Sequence, residues 1–248
     1  MTQQVDELGT PAPGPDTPVE DTRTQAVTTR AGEGRWHRQA MIIFSVATIA
    51  YVVYKLPPYL TFDSSNSLIP PEHPLHFALL SAHVMGGSIS LLTSVLQLWP
   101  WLRRTHPAVH RVSGRIYIFG GALPSAVLAL AMYPVTPGAG RVAVLVAASL
   151  WSTTAIFGWM AARQKRFAEH RRWMVYSFAI MWGYGVWVFV LANAFYYAVG
   201  LNLETSMEAA RWISWTGNLL IVHWWMERTA GRTIIGVARR SSKLKVAT

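Results

Sequence analysis

The sequence contains no cysteine, so it can form no disulfide, thiolate metal site or iron–sulfur cluster, and it offers no cysteine nucleophile. Charged residues make up only 14% of the 248 residues, and 12 acidic residues stand against 22 basic ones. No HExxH helix, nucleophile elbow or Walker phosphate-binding loop is present. These absences exclude the enzyme classes that depend on those motifs.

The abundant residues are apolar and aromatic. Hydrophobic residues account for 52% of the chain, and tryptophan occurs 12 times. This composition is typical of a membrane protein. The net charge of +10 would also suit a nucleic-acid-binding protein. The basic residues, however, form short clusters between apolar runs and no continuous face, a pattern that membrane topology explains better. We therefore expect a lipid bilayer as the surrounding medium and no nucleic-acid partner.

The fold class predicted from this pattern is an all-α integral membrane protein with a six-helix transmembrane bundle. Residues 1–35 lack hydrophobic periodicity and are expected to form a disordered cytoplasmic tail. The transmembrane domain is expected over 36–228, followed by a basic cytoplasmic tail over 229–248. Crossing the hydrocarbon takes about 20 apolar residues. Six segments qualify: about 39–60, 76–98, 114–133, 140–162, 173–199 and 211–227.

Lysine and arginine are concentrated on one side of these predicted spans. By the positive-inside rule that side faces the cytoplasm, which puts both termini there. We accordingly expect a multi-pass protein of the cytoplasmic membrane. The basic side comprises the N-terminal tail, 99–115, 163–172 and everything after 227, whereas the opposite side carries only Lys55, Arg141 and Arg211.

A polar stripe runs along the second predicted span. Buried polar groups are costly in lipid, so such a stripe must face the bundle interior. Small residues there suit close helix packing, but His83 and Gln97 are not needed for packing and are candidate site residues. The stripe has members at steps of four and three, on one helical face: His83, Gly87, Ser90, Ser94 and Gln97.

No Asp or Glu lies in the middle of any predicted span. This argues against carboxylate-coupled ion transport and against an enzyme built on acidic pairs. Histidine is then the side chain able to exchange protons near neutral pH in the membrane. His223, within HWWMER, is expected to be structural. Most aromatic residues of the fifth span, among which is Tyr176, are assigned to packing and interfacial anchoring, and a minority could line a planar ligand such as a quinone or porphyrin.

A His-Arg pair precedes each odd-numbered span. Helix N-termini favour anions, so histidines there are expected to stay neutral and able to ligate a metal or haem iron or to accept a proton. The arginines would hold an anion such as a lipid phosphate or a haem propionate. The alternative is that the arginines only obey the positive-inside rule and the histidines are incidental. The pairs are His37-Arg38, His110-Arg111 and His170-Arg171.

The sequence resembles a family of bacterial multi-pass membrane proteins known only as predicted membrane proteins of unknown function. HRVSGRIY before the third span, HRRWM before the fifth, and His83 followed by glycines with Gln97 downstream carry the resemblance, which covers about 76–190. It implies a multi-pass membrane fold and no established activity. It adds weight to the following residues as a set: His83, His110, Arg115, His170 and Arg171.

Three functions remain open at this point. The first is a haem-b or quinone-interacting redox protein, because bis-histidine ligation needs only inward-facing histidines on neighbouring helices. Di-haem membrane cytochromes typically place two histidines about two heptads apart on one helix. The position two heptads after His83 is Gln97, which argues against two stacked haems bound through this helix. The second is a non-redox transporter or membrane accessory protein that binds anionic lipid or a partner, and the third is a histidine-dependent enzyme acting on a lipid-soluble substrate.

Catalytic residues cannot be assigned from the sequence. The candidate metal ligands are His110 and His170. The candidate cofactor-binding residues are His83, His110, His170, Arg111, Arg115, Arg171 and Gln97.

Overall fold

The computed structural model of the chain describes the backbone of residues 22–61, 74–135 and 140–245, and the side chains of 38–61, 75–135 and 140–229. Within these ranges every regular element is helical and no strand occurs, which confirms the all-α expectation. The helices are α1 (Thr22–Lys55), α2 (Pro57–Leu60), α3 (Pro74–Leu98), α4 (Pro100–Thr105), α5 (Pro107–Arg115), α6 (Leu123–Ala131), α7 (Arg141–Arg163), α8 (Phe167–Trp182), α9 (Val188–Asn193) and α10 (Leu203–Lys245).

The backbone of 1–21 and 246–248, and nearly all side chains of the two predicted tails, lie outside the described residues. Helix α1 begins at Thr22, so helical backbone extends into the segment expected to be disordered. Helix α10 continues to Lys245, through most of the predicted basic tail. The division into two tails and one transmembrane domain therefore stays a prediction.

Four helical stretches are long and apolar enough to cross a membrane, judged by length and composition among the described residues. They correspond to the second to fifth predicted spans. The first predicted span covers the end of α1 together with α2, and the sixth lies within α10; these helices do not belong to the four stretches. The stretches are Leu75–Leu98, Pro107–Ala131, Arg141–Arg163 and Phe167–Val199.

Two of the spans begin earlier than the sequence pattern predicts, at Pro107 and Phe167 instead of 114 and 173. Pro107 occupies the first helical turn, where its fixed φ and missing N–H are tolerated. His110-Arg111 and His170-Arg171 consequently lie at the start of α5 and α8 and not ahead of them, whereas the backbone of His37-Arg38 lies inside α1. The backbone N–H of His110 donates to the carbonyl of His106 at 3.2 Å, and that of His170 to the carbonyl of Arg166 at 2.9 Å. These amides are therefore not free to bind an anion.

Three π-helical turns interrupt the second and fourth of these stretches. We call them π1 (Ile116–Ala122), π2 (Gly183–Trp187) and π3 (Ala194–Val199). A π turn widens the helix by one residue and is frequent at functional sites. In π2 the carbonyl of Gly185 accepts a hydrogen bond from the Tyr51 hydroxyl of α1, which ties that turn to a neighbouring helix.

Helix α3 packs against π1 through very small residues. A Cβ atom added at Gly121 would overlap Ser90 and lie 3.1 Å from the carbonyl oxygen of Gly86. Ser90 and Ser94 are fully buried and Gln97 is 8% exposed. The inward orientation of the polar stripe on α3 is thereby confirmed.

Tyr117 lies at the centre of the bundle, fully buried in π1. Its hydroxyl is 2.8 Å from Ser177 Oγ in α8 and accepts a hydrogen bond from Trp151 Nε1 in α7 at 3.2 Å. Phe178 contacts its ring edge-on, with centroids 4.9 Å apart. This one side chain links three of the four candidate spans.

Candidate ligand site at the basic end of the bundle

Several helix ends meet at one end of the bundle. Helix α3 ends at Leu98 and α5 begins at Pro107, while α7 ends at Arg163 and α8 begins at Phe167. Such short connections join antiparallel neighbours, and α3 with α5 and α7 with α8 are indeed packed together. We call this end the basic end, after the arginines in its turns: Arg103, Arg104, Arg111, Arg163 and Arg171.

Gln97 joins α3 to α5 at the basic end. Its Nε2 donates to the carbonyl of His110 at 2.8 Å and to Ser113 Oγ at 2.6 Å. A Cβ atom at Gly114 would lie 3.2 Å from Gln97 Oε1, so the close approach requires a glycine there. Gln97 is therefore occupied in positioning His110, and only its carbonyl oxygen is left to offer a ligand.

His110 is half-buried on α5. Its Nδ1 is buried and has no hydrogen-bond partner among the described residues. An unpaired buried nitrogen of this kind is costly unless a ligand or a water satisfies it. The ring also lies within electrostatic range of Arg103, Arg111 and His170. His110 and His170 therefore lie at the same end of the bundle, and their pairing in one site stays a prediction.

His170 is anchored to α7. Its Nδ1 lies 2.8 Å from the carbonyl oxygen of Gly158. A carbonyl oxygen can only accept, so Nδ1 carries the proton in this contact and Nε2 keeps its lone pair in the neutral ring. Histidines that bind metals show this arrangement, because the second-shell acceptor fixes the tautomer and the ring orientation.

His83 shows a similar arrangement elsewhere in the bundle. Its Nδ1 lies 2.8 Å from the carbonyl oxygen of Ser125 and 3.0 Å from Ser125 Oγ, which itself donates to the carbonyl of His83 at 2.9 Å. The carbonyl contact again leaves Nε2 with the lone pair. Along α3, His83 is about 21 Å from Gln97 at 1.5 Å per residue. It therefore does not belong to the site at the basic end.

The three candidate arginines, Arg111, Arg115 and Arg171, are all exposed. They surround the basic end and do not point into its packed interior. This position suits contact with phosphate or carboxylate groups at a membrane surface. The side chain of His37, the third histidine of the predicted ring, lies outside the described residues.

Sequence reasoning missed a second polar cluster on the other side of α8. The Tyr176 hydroxyl lies 2.8 Å from His223 Nδ1 in α10, and Arg172 Nε donates to the same hydroxyl at 3.4 Å. Arg172 NH2 is also 3.6 Å from a carboxylate oxygen of Glu227. The available signal was the four-residue spacing of Arg172 with Tyr176 and of His223 with Glu227, which puts each pair on one helical face.

No group of three or more His, Asp or Glu side chains that would hold a metal ion occurs among the described residues. The helices and their apolar stretches define the class as an all-helical membrane protein.

The chain belongs to the family described as "Predicted membrane protein (DUF2306)", whose model matches residues 80–226. The expected family resemblance is thereby confirmed. No curated protein and no solved structure matches the chain.

Proposed function

We propose that this protein is a redox protein of the bacterial cytoplasmic membrane that holds a haem b at the basic end, with His110 and His170 as its axial ligands. The observation that supports the proposal is that these two imidazoles lie within electrostatic range of each other. His170 is held through Nδ1 by the Gly158 carbonyl, and the nearby His110 keeps a buried nitrogen without a partner.

The number of donors favours haem over a bare metal ion. Structural and catalytic zinc sites use three or four protein ligands, and the described residues contain no such group. A haem supplies four nitrogens of its own and needs only two axial ligands, for which histidines serve. Covalent haem attachment uses cysteines, of which the chain has none, so the haem would be of the b type.

The surrounding charge fits the same assignment. Haem propionates are anions, and Arg111, Arg115 and Arg171 are exposed around the basic end. Guanidinium groups bind carboxylates through paired hydrogen bonds. The same arginines would contact anionic lipid headgroups at that surface.

Absorption spectroscopy of the purified protein tests the proposal. We expect a Soret band that is lost in His110→Ala and in His170→Ala, with membrane insertion unchanged. His106→Ala is the matched control, because His106 lies near His110 but is exposed and contacts Trp101, with ring centroids 4.9 Å apart. It should keep the Soret band.

A protein without haem, in which both alanine variants behave like wild type, contradicts the proposal. In that case the His-Arg pairs reflect only the positive-inside rule. The chain is then better regarded as a non-redox transporter or accessory protein, or as an enzyme whose site lies around His83.

We also propose that α1 and α10 complete a six-span bundle with both termini in the cytoplasm. The described part of each carries large apolar side chains on its surface, which a membrane span requires. In α1, Val53 and Tyr54 are exposed, and in α10, Leu220 and Ile221 are exposed. The asymmetry of Lys and Arg between the two ends supports the orientation.

A further inference from the structure

The turn between α7 and α8 holds a lysine at a left-handed backbone position. Helix α7 ends in a Schellman motif, in which the backbone N–H groups of Lys165 and Arg166 donate to carbonyls of the last helical turn at 3.0 and 2.9 Å. The motif places Lys165 at φ 59°, a region that glycine occupies without the strain a side chain causes. The other two left-handed positions among the described residues are glycines, Gly140 and Gly200. Lys165 is therefore the exception.

The end of helix α7 does not by itself explain this lysine. A positive charge near a helix C-terminus interacts favourably with the helix dipole. Arg163 in the last turn and Arg166 just beyond it already supply such charge. Lys165 thus adds a further cation at a position where glycine would suit the backbone better, and strain of this kind is typical of functional positions.

The positive charge of the turn is not neutralised within the part of the chain that the structure describes. Glu169, the acidic residue in the first turn of α8, pairs with Arg166. Arg163 and Lys165 are both exposed, and neither forms an ion pair with another described residue. The turn therefore presents two cations to an anion outside the chain.

The turn lies where two candidate membrane spans meet the surface. One span ends at Arg163 and the next begins at Phe167. The Phe167 side chain is 66% exposed, and an aromatic ring beside basic residues suits the boundary between lipid headgroups and hydrocarbon. A soluble acidic partner would account for the charge alone, whereas a phospholipid accounts for both the charge and the exposed ring.

We propose that the α7–α8 turn binds the headgroup phosphate of an acidic phospholipid, with Lys165 as the charged contact. An acidic lipid is favoured over a zwitterionic one because no cationic group of its own offsets the phosphate. The strain at Lys165 is retained because glycine would relieve it only by removing the charge. The turn shares no residue with the His110–His170 pair, so this assignment stands separately from the haem assignment.

The test places a fluorophore beside the turn of the full chain. The chain has no cysteine, so Ala168→Cys, at an exposed position of α8, can be labelled specifically. The labelled protein is inserted into phosphatidylcholine vesicles with a small fraction of spin-labelled phosphatidylglycerol or spin-labelled phosphatidylcholine in both leaflets. The ratio of quenching by the two lipids measures the local enrichment of the acidic one. Phosphatidylglycerol should quench more strongly.

Substitutions at Lys165 separate charge from backbone conformation. Lys165→Asn keeps a residue that tolerates the left-handed region but removes the charge, and it should lower the enrichment roughly fivefold, the contribution of one lysine near an anionic surface. Lys165→Gly should lower it equally and keep or raise the Tm in neutral detergent, whereas Lys165→Arg should keep the enrichment. Arg228→Asn is the matched control, because it removes the same charge from α10, where Arg228 lies over the Trp224 ring; it should leave the enrichment unchanged.

Four results would overturn the assignment. Equal quenching by the two lipids in wild type would mean that the turn selects no acidic lipid and is left to a soluble partner. Wild-type enrichment in Lys165→Asn would remove the role of the lysine, and an equal loss in Arg228→Asn would attribute the enrichment to net charge. A lower Tm in both Lys165→Gly and Lys165→Asn than in wild type would show that the lysine stabilises the helix end instead.

Discussion

The contact between π2 and α10 leads to a prediction about stability. A Cβ atom at Gly183 would lie 2.5 Å from Trp215 Cα and 2.6 Å from the carbonyl oxygen of Ser214. Carbon atoms in contact rest about 3.5–4.0 Å apart. Gly183→Ala therefore forces α10 away from π2 by about 1 Å, and no side-chain rotation can relieve a clash with backbone atoms.

The magnitude follows from two opposing effects. Overpacking costs about 1–3 kcal/mol, and replacing glycine by alanine in a helix recovers up to about 1 kcal/mol. We expect Gly183→Ala to lower the free energy of unfolding by about 1–2 kcal/mol. For a chain of this size that corresponds to a fall in Tm of roughly 2–8 °C.

Thermal unfolding of the detergent-solubilised protein, followed by circular dichroism, measures the effect. Gly217→Ala is the matched control, because Gly217 lies on α10 two residues beyond Trp215 and an added Cβ would meet nothing within 4 Å. The control should be unchanged or slightly stabilised. Equal Tm values for Gly183→Ala and Gly217→Ala would refute the tight packing of α10 on π2.

Three further predictions concern the core and the topology. Ser125→Ala removes the hydroxyl that is hydrogen-bonded to His83 and should lower the free energy of unfolding, measured by chemical denaturation, by about 1 kcal/mol. Ser152→Ala is the control, because the Ser152 hydroxyl donates only within its own helix; it should change the free energy of unfolding little. Tyr117→Phe leaves two buried partners unpaired and should cost about 1–3 kcal/mol, a loss absent from the exposed Tyr196→Phe; equal unfolding midpoints for the two would contradict the role of the Tyr117 hydroxyl. Reporter fusions test the orientation of the chain. We expect cytoplasmic signals after 35, 105, 168 and 248 and external signals at 66, 137 and 205. An external signal at 105 or 168 would contradict the predicted orientation.

The helical class was predictable because apolar runs of spanning length have few alternatives in lipid. The position of His110 and His170 at one end of the bundle was predictable from topology, since both follow short connections at the same end of antiparallel hairpins; their pairing in one site stays a prediction. The inward stripe on α3 followed from helical periodicity. Each of these features depends on local pattern and on chain direction.

Other features depend on packing and left no such pattern. The π turns give the sequence no period of their own, so the wide turns at Tyr117 and Gly185 could not be anticipated. The Tyr176–His223 contact joins residues 47 positions apart and requires knowing which face of α8 meets α10. Helix starts at Pro107 and Phe167 were missed because the polar first turns do not look like spans by hydropathy.

Helix α8 contacts two different neighbouring helices through its polar side chains. His170 contacts α7 through Gly158, and Tyr176 contacts α10 through His223. Six residues along an α-helix correspond to a rotation of about 240° and a rise of about 9 Å, so these side chains leave α8 on different sides.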